Sequence, residues 1–244
     1  MSAYGALAAW YDALTRDVDY AAFADFYERC FRAAPGETHT LLDLCCGTGT
    51  LTCLLAARGY EMIAADVSPE MLAQAQMKAA ALPAGSVQPL LLCQAAAELD
   101  LYGTVDAAVC SLDGMDYIPP QELPEVLRRL HLFIRPGGLL IFDVRTPESF
   151  RALDGGVFVD ETEDVLCLWR ADFDAARGVM RYGMDLFERR GALWARSAEE
   201  HVEYAYTPEW LTRRLDESGF AEIRTYTDGP QCAAGRLFFT AIRN

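Results

Sequence analysis

Between residues 39 and 144 the sequence alternates short apolar runs with helix-patterned segments, and this alternation constrains the fold more than any other feature. HTLLDLC, EMIAAD, PLLLC, VDAAVCSL and LLIFDV read as five buried strands, because each is short, nearly continuous in apolar residues and bounded by turn signals. TLTCLLAARG reads as a helix stopped by Gly59. SPEMLAQAQMKAAAL carries Ser68 as N-cap and Pro69 at the first helical position, a strong helix start. PQELPEVLRRLHLFIRPGG is a helix followed by a Pro-Gly-Gly break. Strands alternating with helices imply right-handed crossovers and a mostly parallel sheet, an α/β architecture.

The flanks differ. Residues 1–36 are expected to form a helical, aromatic-rich arm, with Phe23, Phe26, Tyr27 and Cys30 at helical spacing and Pro35-Gly36 at its end. From about Gly155 the period changes, and VLCLWRADF, VMRYGMDLFE and LWARSAEEHVEYAY read as three consecutive antiparallel strands. A helix with Thr207 as N-cap follows, and FAEIRTYT and RLFFTAI close the chain as a strand pair. With 244 residues, the expectation is one domain: an arm (1–36), a core (37–150), an antiparallel insertion (151–206) and a closing helix and strand pair (207–244).

Charge narrows the partners. Lys and Arg number 21 and Asp and Glu 36, a net charge of −15, which disfavours nucleic acid, whose binding draws on basic residues. No apolar run approaches the ~18 residues of a membrane span, and MSAYGALAAWYDAL lacks the basic flank of a signal peptide, so a cytoplasmic protein without membrane association is expected. The eight cysteines, at 30, 45, 46, 53, 93, 110, 167 and 232, show no zinc-type spacing, and only His39, His131 and His201 could assist them, so no metal is expected.

The loop after the first strand carries the chemistry. In LLDLCCGTGTL, Gly47-Thr48-Gly49 follows a strand and opens a helix, a weak nucleotide-site signal. The dinucleotide fingerprint is incomplete, because Thr52 stands where its third glycine belongs. Asp43, four residues before Gly47, suits a ligand with a cationic end better than a pyrophosphate. Asp66 closes the second strand, where an acidic side chain can accept both hydroxyls of a ribose, at about 1.5–3 kcal/mol per charged hydrogen bond.

These segments resemble the class I S-adenosylmethionine-dependent methyltransferases. LLDLCCGTG is similar to that family's first motif, AADVSPEML to its second, and PGGLLIFDV to the lead into its fifth strand. The resemblance implies a Rossmann-like, doubly wound, seven-stranded, mostly parallel sheet with an antiparallel last strand, with the meander as a lid. The arm and meander further resemble a bacterial subgroup acting on small molecules. The implied cofactor is S-adenosylmethionine and the product S-adenosylhomocysteine. By the same resemblance Asp43 sits near the methionine amino group, while Gly47, Thr48 and Gly49 wrap methionine and ribose. Asp66 holds the ribose, and Val67 and Met71 pack on adenine. Cys45 and Cys46 occupy positions where small residues, and at the second often cysteine, are usual, so they read as packing choices rather than a redox pair. Gln94, Ala95 and Ala96 stand where the family often has an acidic acceptor for the adenine amino group. That departure leaves Gln94 or a backbone carbonyl as substitute and implies weakened affinity. Ser111, Leu112 and Asp113 are expected beside the methionine part, with Asp113, Asp116 and Tyr117 able to face the substrate. Tyr4, Tyr11 and Tyr20 lie in the arm, and Tyr11 is the expected ring near the sulfonium, where cation–π attraction is available.

Methyl transfer needs alignment, exclusion of water and stabilised charge rather than a fixed catalytic set, and no nucleophile–base constellation is evident. His201 could approach the cleft, but reads first as an exposed strand residue. Trp169, Tyr182, Phe187, Trp194, Tyr204 and Tyr206 could bound a pocket, and Arg170 or Arg181 could neutralise an acidic substrate, although each alone reads first as a surface residue and none is taken as a site. Two other readings compete: a nicotinamide-dependent oxidoreductase, opposed by Thr52 and Asp43, and a cofactor-binding or sensing protein without transferase activity. The acceptor and the oligomeric state are not legible.

Overall fold

The computed structural model describes residues 4–244. After a single helical turn at Leu7–Ala9 come α1 (Tyr11–Leu14), α2 (Tyr20–Ala33), β1 (Thr40–Leu44), α3 (Thr50–Ala57), β2 (Glu61–Asp66), α4 (Pro69–Ala80), β3 (Leu90–Cys93), β4 (Val105–Cys110), α5 (Leu123–Phe133) and β5 (Ile134–Arg145). Then follow α6 (Pro147–Leu153), β6 (Val157–Glu161), β7 (Val165–Asp174), β8 (Val179–Arg190), β9 (Leu193–Tyr204), α7 (Pro208–Glu217), β10 (Phe220–Tyr226) and β11 (Arg236–Arg243).

Seven strands form one sheet in the order β10-β11-β5-β4-β1-β2-β3, and β6 to β9 form a second, antiparallel sheet in sequence order. Within the first sheet β1 to β5 pair in parallel, and β11 runs antiparallel to both β5 and β10. The strand order reverses between β1 and β4, the place where open α/β sheets hold ligands beyond the carboxyl ends of their strands.

Strand periodicity sorts the core into two layers. Leu41, Val109, Ile141 and Phe238 pack with Phe23, Tyr27 and Leu55 of α2 and α3 on one face. Their chain neighbours Leu42, Cys110, Phe142 and Phe239 pack with Val126, Leu130 and Leu211 of α5 and α7 on the other. The capped helices start where the sequence places them: Ser68 Oγ accepts from Met71 N and Thr207 Oγ1 from Trp210 N.

Three local expectations are corrected. The Pro136-Gly137-Gly138 segment does not precede its strand. β5 begins at Ile134 and absorbs the segment as an irregularity, with Val105 opposite Ile134 and Ala107 opposite Leu139. The meander has a fourth strand, β6, which shows no alternation because all five of its residues are exposed. Helix α6 was not expected, although Thr146 caps it and Pro147 opens it just as Thr207 and Pro208 do for α7.

The second sheet faces the arm. Leu7 packs on Val165, Cys167, Met184 and Leu186, with Trp10, Tyr11 and Leu14 against the same cluster. At the other end Phe150 of α6 packs with Phe173 and Met180.

Gly49 caps α3 at φ +69°, and a Cβ there would lie 2.7 Å from Ala75 Cβ on α4. Gly49→Ala is expected to cost about 2–4 kcal/mol from left-handed strain plus overpacking. Gly47→Ala, with φ +54° but open space around its Cβ, should cost only about 1–2 kcal/mol. Denaturant titration of both variants checks the difference.

Candidate active site

At the carboxyl ends of β1, β2 and β4 lies a cavity of about 460 Å³. Fourteen residues singled out in the sequence line it: Tyr11, Asp43, Cys45, Gly47, Thr48, Asp66, Val67, Met71, Gln94, Ala95, Ala96, Ser111, Leu112 and Tyr117. Tyr4 and Tyr20 join them from the arm.

The glycine loop is shaped by its hydrogen bonds. Cys46 N donates to Ala65 O (3.1 Å) and Gly49 N to Cys46 O (3.0 Å), while Cys45 and Gly47 take left-handed conformations at φ +58° and +54°. The Asp66 carboxylate ties this loop to the start of α4, accepting from Gly47 N at 2.8 Å and Ser68 N at 2.9 Å. Each oxygen keeps a further lone pair for a ligand hydroxyl. Burial raises this carboxyl against the pull of those amides. Asp43 is 2% exposed and accepts from Thr52 Oγ1, and burial pushes its carboxyl up to about 7. Val67, by contrast, leaves 68% of itself uncovered beside the cavity.

The cysteines are all free thiols. Cys45 and Cys110 crowd Gly114, where a Cβ would lie 2.9 Å from Cys45 Cβ and 2.7 Å from Cys110 Sγ. Burial drives the Cys46 thiol well above its usual range, which removes the thiolate that redox chemistry requires.

The arm crosses the cavity mouth and is fastened at two points. Asp12 pairs with Lys78 Nζ (2.6 Å) and accepts from Thr48 Oγ1 (2.7 Å) in the glycine loop. Farther up, Glu199 of β9 accepts from the backbone amides of Tyr4 (3.0 Å), Ala6 and Leu7 (3.3 Å).

Several expected roles are relocated. Gly49 is not in the cavity lining; it serves the packing of α3 on α4. Asp113 also stands outside it. Its carboxylate pairs with Arg236 Nη1 (2.5 Å) and Arg145 Nε (3.0 Å), and these cations hold it below the usual carboxylate range against its burial. The Gln94 amide already bonds Asp100, with Asp100 N donating to Oε1 at 3.1 Å and Nε2 donating to Asp100 O at 3.4 Å, which leaves one lone pair of its oxygen for a ligand. His201 is not exposed: at 1% exposure it packs edge-on against Tyr4, with ring centroids 4.6 Å apart, and burial lowers its pKa. Arg170 pairs with Asp185, and Arg181 lies 3.6 Å from Glu200, so both have carboxylate partners already. None of the six meander aromatics lines the cavity. Tyr206 instead donates to Ile118 O and stacks on Trp210.

Sequence reading missed Asp143, Arg145 and Arg236. Asp143 is fully buried at the end of β5 and accepts from Leu112 N (3.0 Å) and Asp113 N (3.3 Å), two consecutive residues at φ +54° and +69°. Arg236 bridges Asp113 and Asp143, and Arg145 N donates to Asp116 (2.8 Å). Together they fix the turn that presents Ser111, Leu112 and Tyr117 to the cavity. A buried acid in IFDV was the one available signal.

A methyltransferase-domain family model matches residues 41–138. YqeM of Bacillus subtilis (strain 168), which carries a provisional methyltransferase name, is 29% identical over 99% of this chain and 97% of its own. A carboxy-S-adenosyl-L-methionine synthase of Geobacter metallireducens is 33% identical over 73% of this chain and 67% of its own. The crystal structure of an S-adenosylmethionine-dependent methyltransferase from Clostridium acetobutylicum superposes with a TM-score of 0.84 over 100% of both chains at 26% identity. The chain belongs to the class I S-adenosylmethionine-dependent methyltransferases. Its cofactor is S-adenosylmethionine and its reaction is methyl transfer, which sets aside the nicotinamide reading.

The cavity fits that cofactor. Its volume lies in the range of small-molecule sites, Val67 offers an uncovered apolar face, and the Asp66 carboxylate has free lone pairs beside it.

Removing Arg236 would leave Asp113 and Asp143 buried with one cation fewer. Arg236→Met is expected to cost about 3–5 kcal/mol, read by denaturant titration.

Proposed function

We propose that the cavity lining holds S-adenosylmethionine and that the acceptor is a small molecule. The observation that carries this is the convergence of Asp43, Asp66, Val67 and three arm tyrosines on one cavity at the strand-order reversal. When bound, the cofactor supplies a methyl group activated by its sulfonium. The residues of this chain bind, orient and exclude water. Asp66 receives the ribose hydroxyls, Asp43 faces the cationic methionine end, and Val67 and Met71 cover the adenine. Tyr11 stands at the sulfonium, and Ser111 and Leu112 beside the methionine chain. Ala95 and Ala96 contribute backbone only, so the adenine amino group meets carbonyls rather than a side-chain acid. The two-point fastening of the arm favours an acceptor that enters an enclosed site, and the net charge of −15 supports a small molecule over nucleic acid. We read residues 1–244 as one catalytic domain in which the second sheet is a lid, acting in the cytoplasm. Among the described residues no helix is long and apolar enough to cross a membrane.

Calorimetric titration tests the assignment. Asp66→Ala is expected to weaken S-adenosylmethionine binding by about 100-fold or more, the loss of two charged hydrogen bonds. If binding is unchanged, the cavity is not the cofactor site. The affinity of the native protein should also fall as pH drops through about 7, because protonation removes the Asp43 charge that faces the ligand's cationic end. Asp43→Asn should flatten that dependence.

A further inference from the structure

Behind the cavity wall, beside the second sheet, lies a cluster of buried polar side chains that the cofactor reading does not use. Tyr4 and Tyr117 stand between this cluster and the cavity. Both line the cavity, and both also face His201, with Tyr117 Oη 3.5 Å from His201 Nδ1. Glu203, two residues further along β9, faces the Tyr117 hydroxyl and is only 5% exposed. Asp116, fully buried, feels the Glu203 charge as well. Half-buried Arg145 and Tyr182 also feel it.

The charges here do not balance. Arg145 and Arg236 are taken up by Asp113 and Asp143. Glu199 is occupied by the amides of the arm. That leaves the carboxyls of Asp116 and Glu203 without an ion pair of their own among the described residues, although Arg145 and Arg236 still act on Glu203 from a distance. Asp116 Oδ1 and Glu203 Oε2 are buried and have no hydrogen-bond partner among the described residues, while His201 Nε2 lies 3.4 Å from Glu199 Oε2. An unpaired buried acid of this kind costs free energy unless something arrives to satisfy it. A metal ion is not that partner, because no three His, Cys, Asp or Glu side chains among the described residues converge closely enough to hold one.

We propose that this cluster is the polar end of the acceptor subsite, reached from the cavity between Tyr4 and Tyr117, and that it takes a protonated primary or secondary amine, its ammonium seated against Glu203 and Asp116 and its nitrogen turned to Tyr117. The proposal rests on the adjoining cavity being the cofactor site. An ammonium supplies what is missing: a positive charge and more than one N–H donor for two orphaned carboxyl oxygens. Burial pushes Glu203 up to about 8, near the range where a carboxylate can accept a proton from an ammonium at physiological pH. In that step an N–H bond of the ammonium breaks and the proton moves to a Glu203 oxygen. The nitrogen keeps the electron pair, which then forms the bond to the methyl carbon while the carbon–sulfur pair remains on sulfur.

The test uses the full chain loaded with S-adenosylhomocysteine, methylammonium as probe and methanol as uncharged control. NMR follows the His201 ring and the Glu203 carboxyl carbon. Methylammonium should shift both signals saturably, methanol should not, and the Glu203 titration midpoint should fall when the amine is present. Glu203→Gln should abolish the response while changing S-adenosylhomocysteine affinity less than about twofold, and Asp116→Asn should weaken the response about tenfold, the equivalent of one modest charged contact. Absence of a saturable shift, an equal response to methanol, or an undiminished response in Glu203→Gln, each with S-adenosylhomocysteine bound, would overturn the amine subsite and leave the cofactor site standing. Failure of the unmutated protein to bind S-adenosylhomocysteine would remove both.

Discussion

The Arg236 guanidinium is the joint on which the cavity depends. It comes from the first residue of the last strand and reaches two carboxylates, one on β5 and one in the turn after β4. That turn contains two successive non-glycine residues in left-handed conformations, which L-residues rarely sustain. Asp143 offsets that cost by accepting both of their amides, and Arg236 in turn permits two carboxylates to be buried side by side. Ser111, Leu112 and Tyr117 reach the cavity because this chain of dependence holds. The antiparallel closing strand therefore positions the site as well as completing the sheet.

The second sheet has a similar double role. Its inner face covers the arm through Val165, Cys167, Met184 and Leu186, and β9 supplies Glu199 to hold the arm's first turn. From the same strand, His201 and Glu203 join the buried polar cluster behind Tyr4 and Tyr117. One strand thus serves both the fastening of the arm and the polar cluster beside the cavity.

Much of this was legible in the chain. The five parallel strands declare themselves by short apolar runs, and the Gly47–Gly49 loop and Asp66 by their placement at strand ends. What escaped notice did so for definite physical reasons. β6 is an edge strand with no buried face, so it carries no period-two signal. Asp113 looks like a ligand contact because it follows a parallel strand. Its partner Arg236 lies 123 residues away, and no local pattern announces that pairing. His201 reads as an exposed strand residue, yet the β9 face it shares with Glu199 and Glu203 turns inward, where backbone amides and tyrosines replace water. Gly49 was assigned to the ligand, but its missing Cβ serves a helix–helix contact.

The attachment of the arm to Glu199 runs through main-chain N–H groups, not side chains. The two halves of this clasp therefore carry unequal amounts of sequence information. At residues 6 and 7 the clasp itself is satisfied by any amino acid except proline, which has no N–H to offer, whereas position 199 must supply a carboxylate of the right length. The chain's first visible turn is thus fastened by a rule written almost two hundred residues downstream.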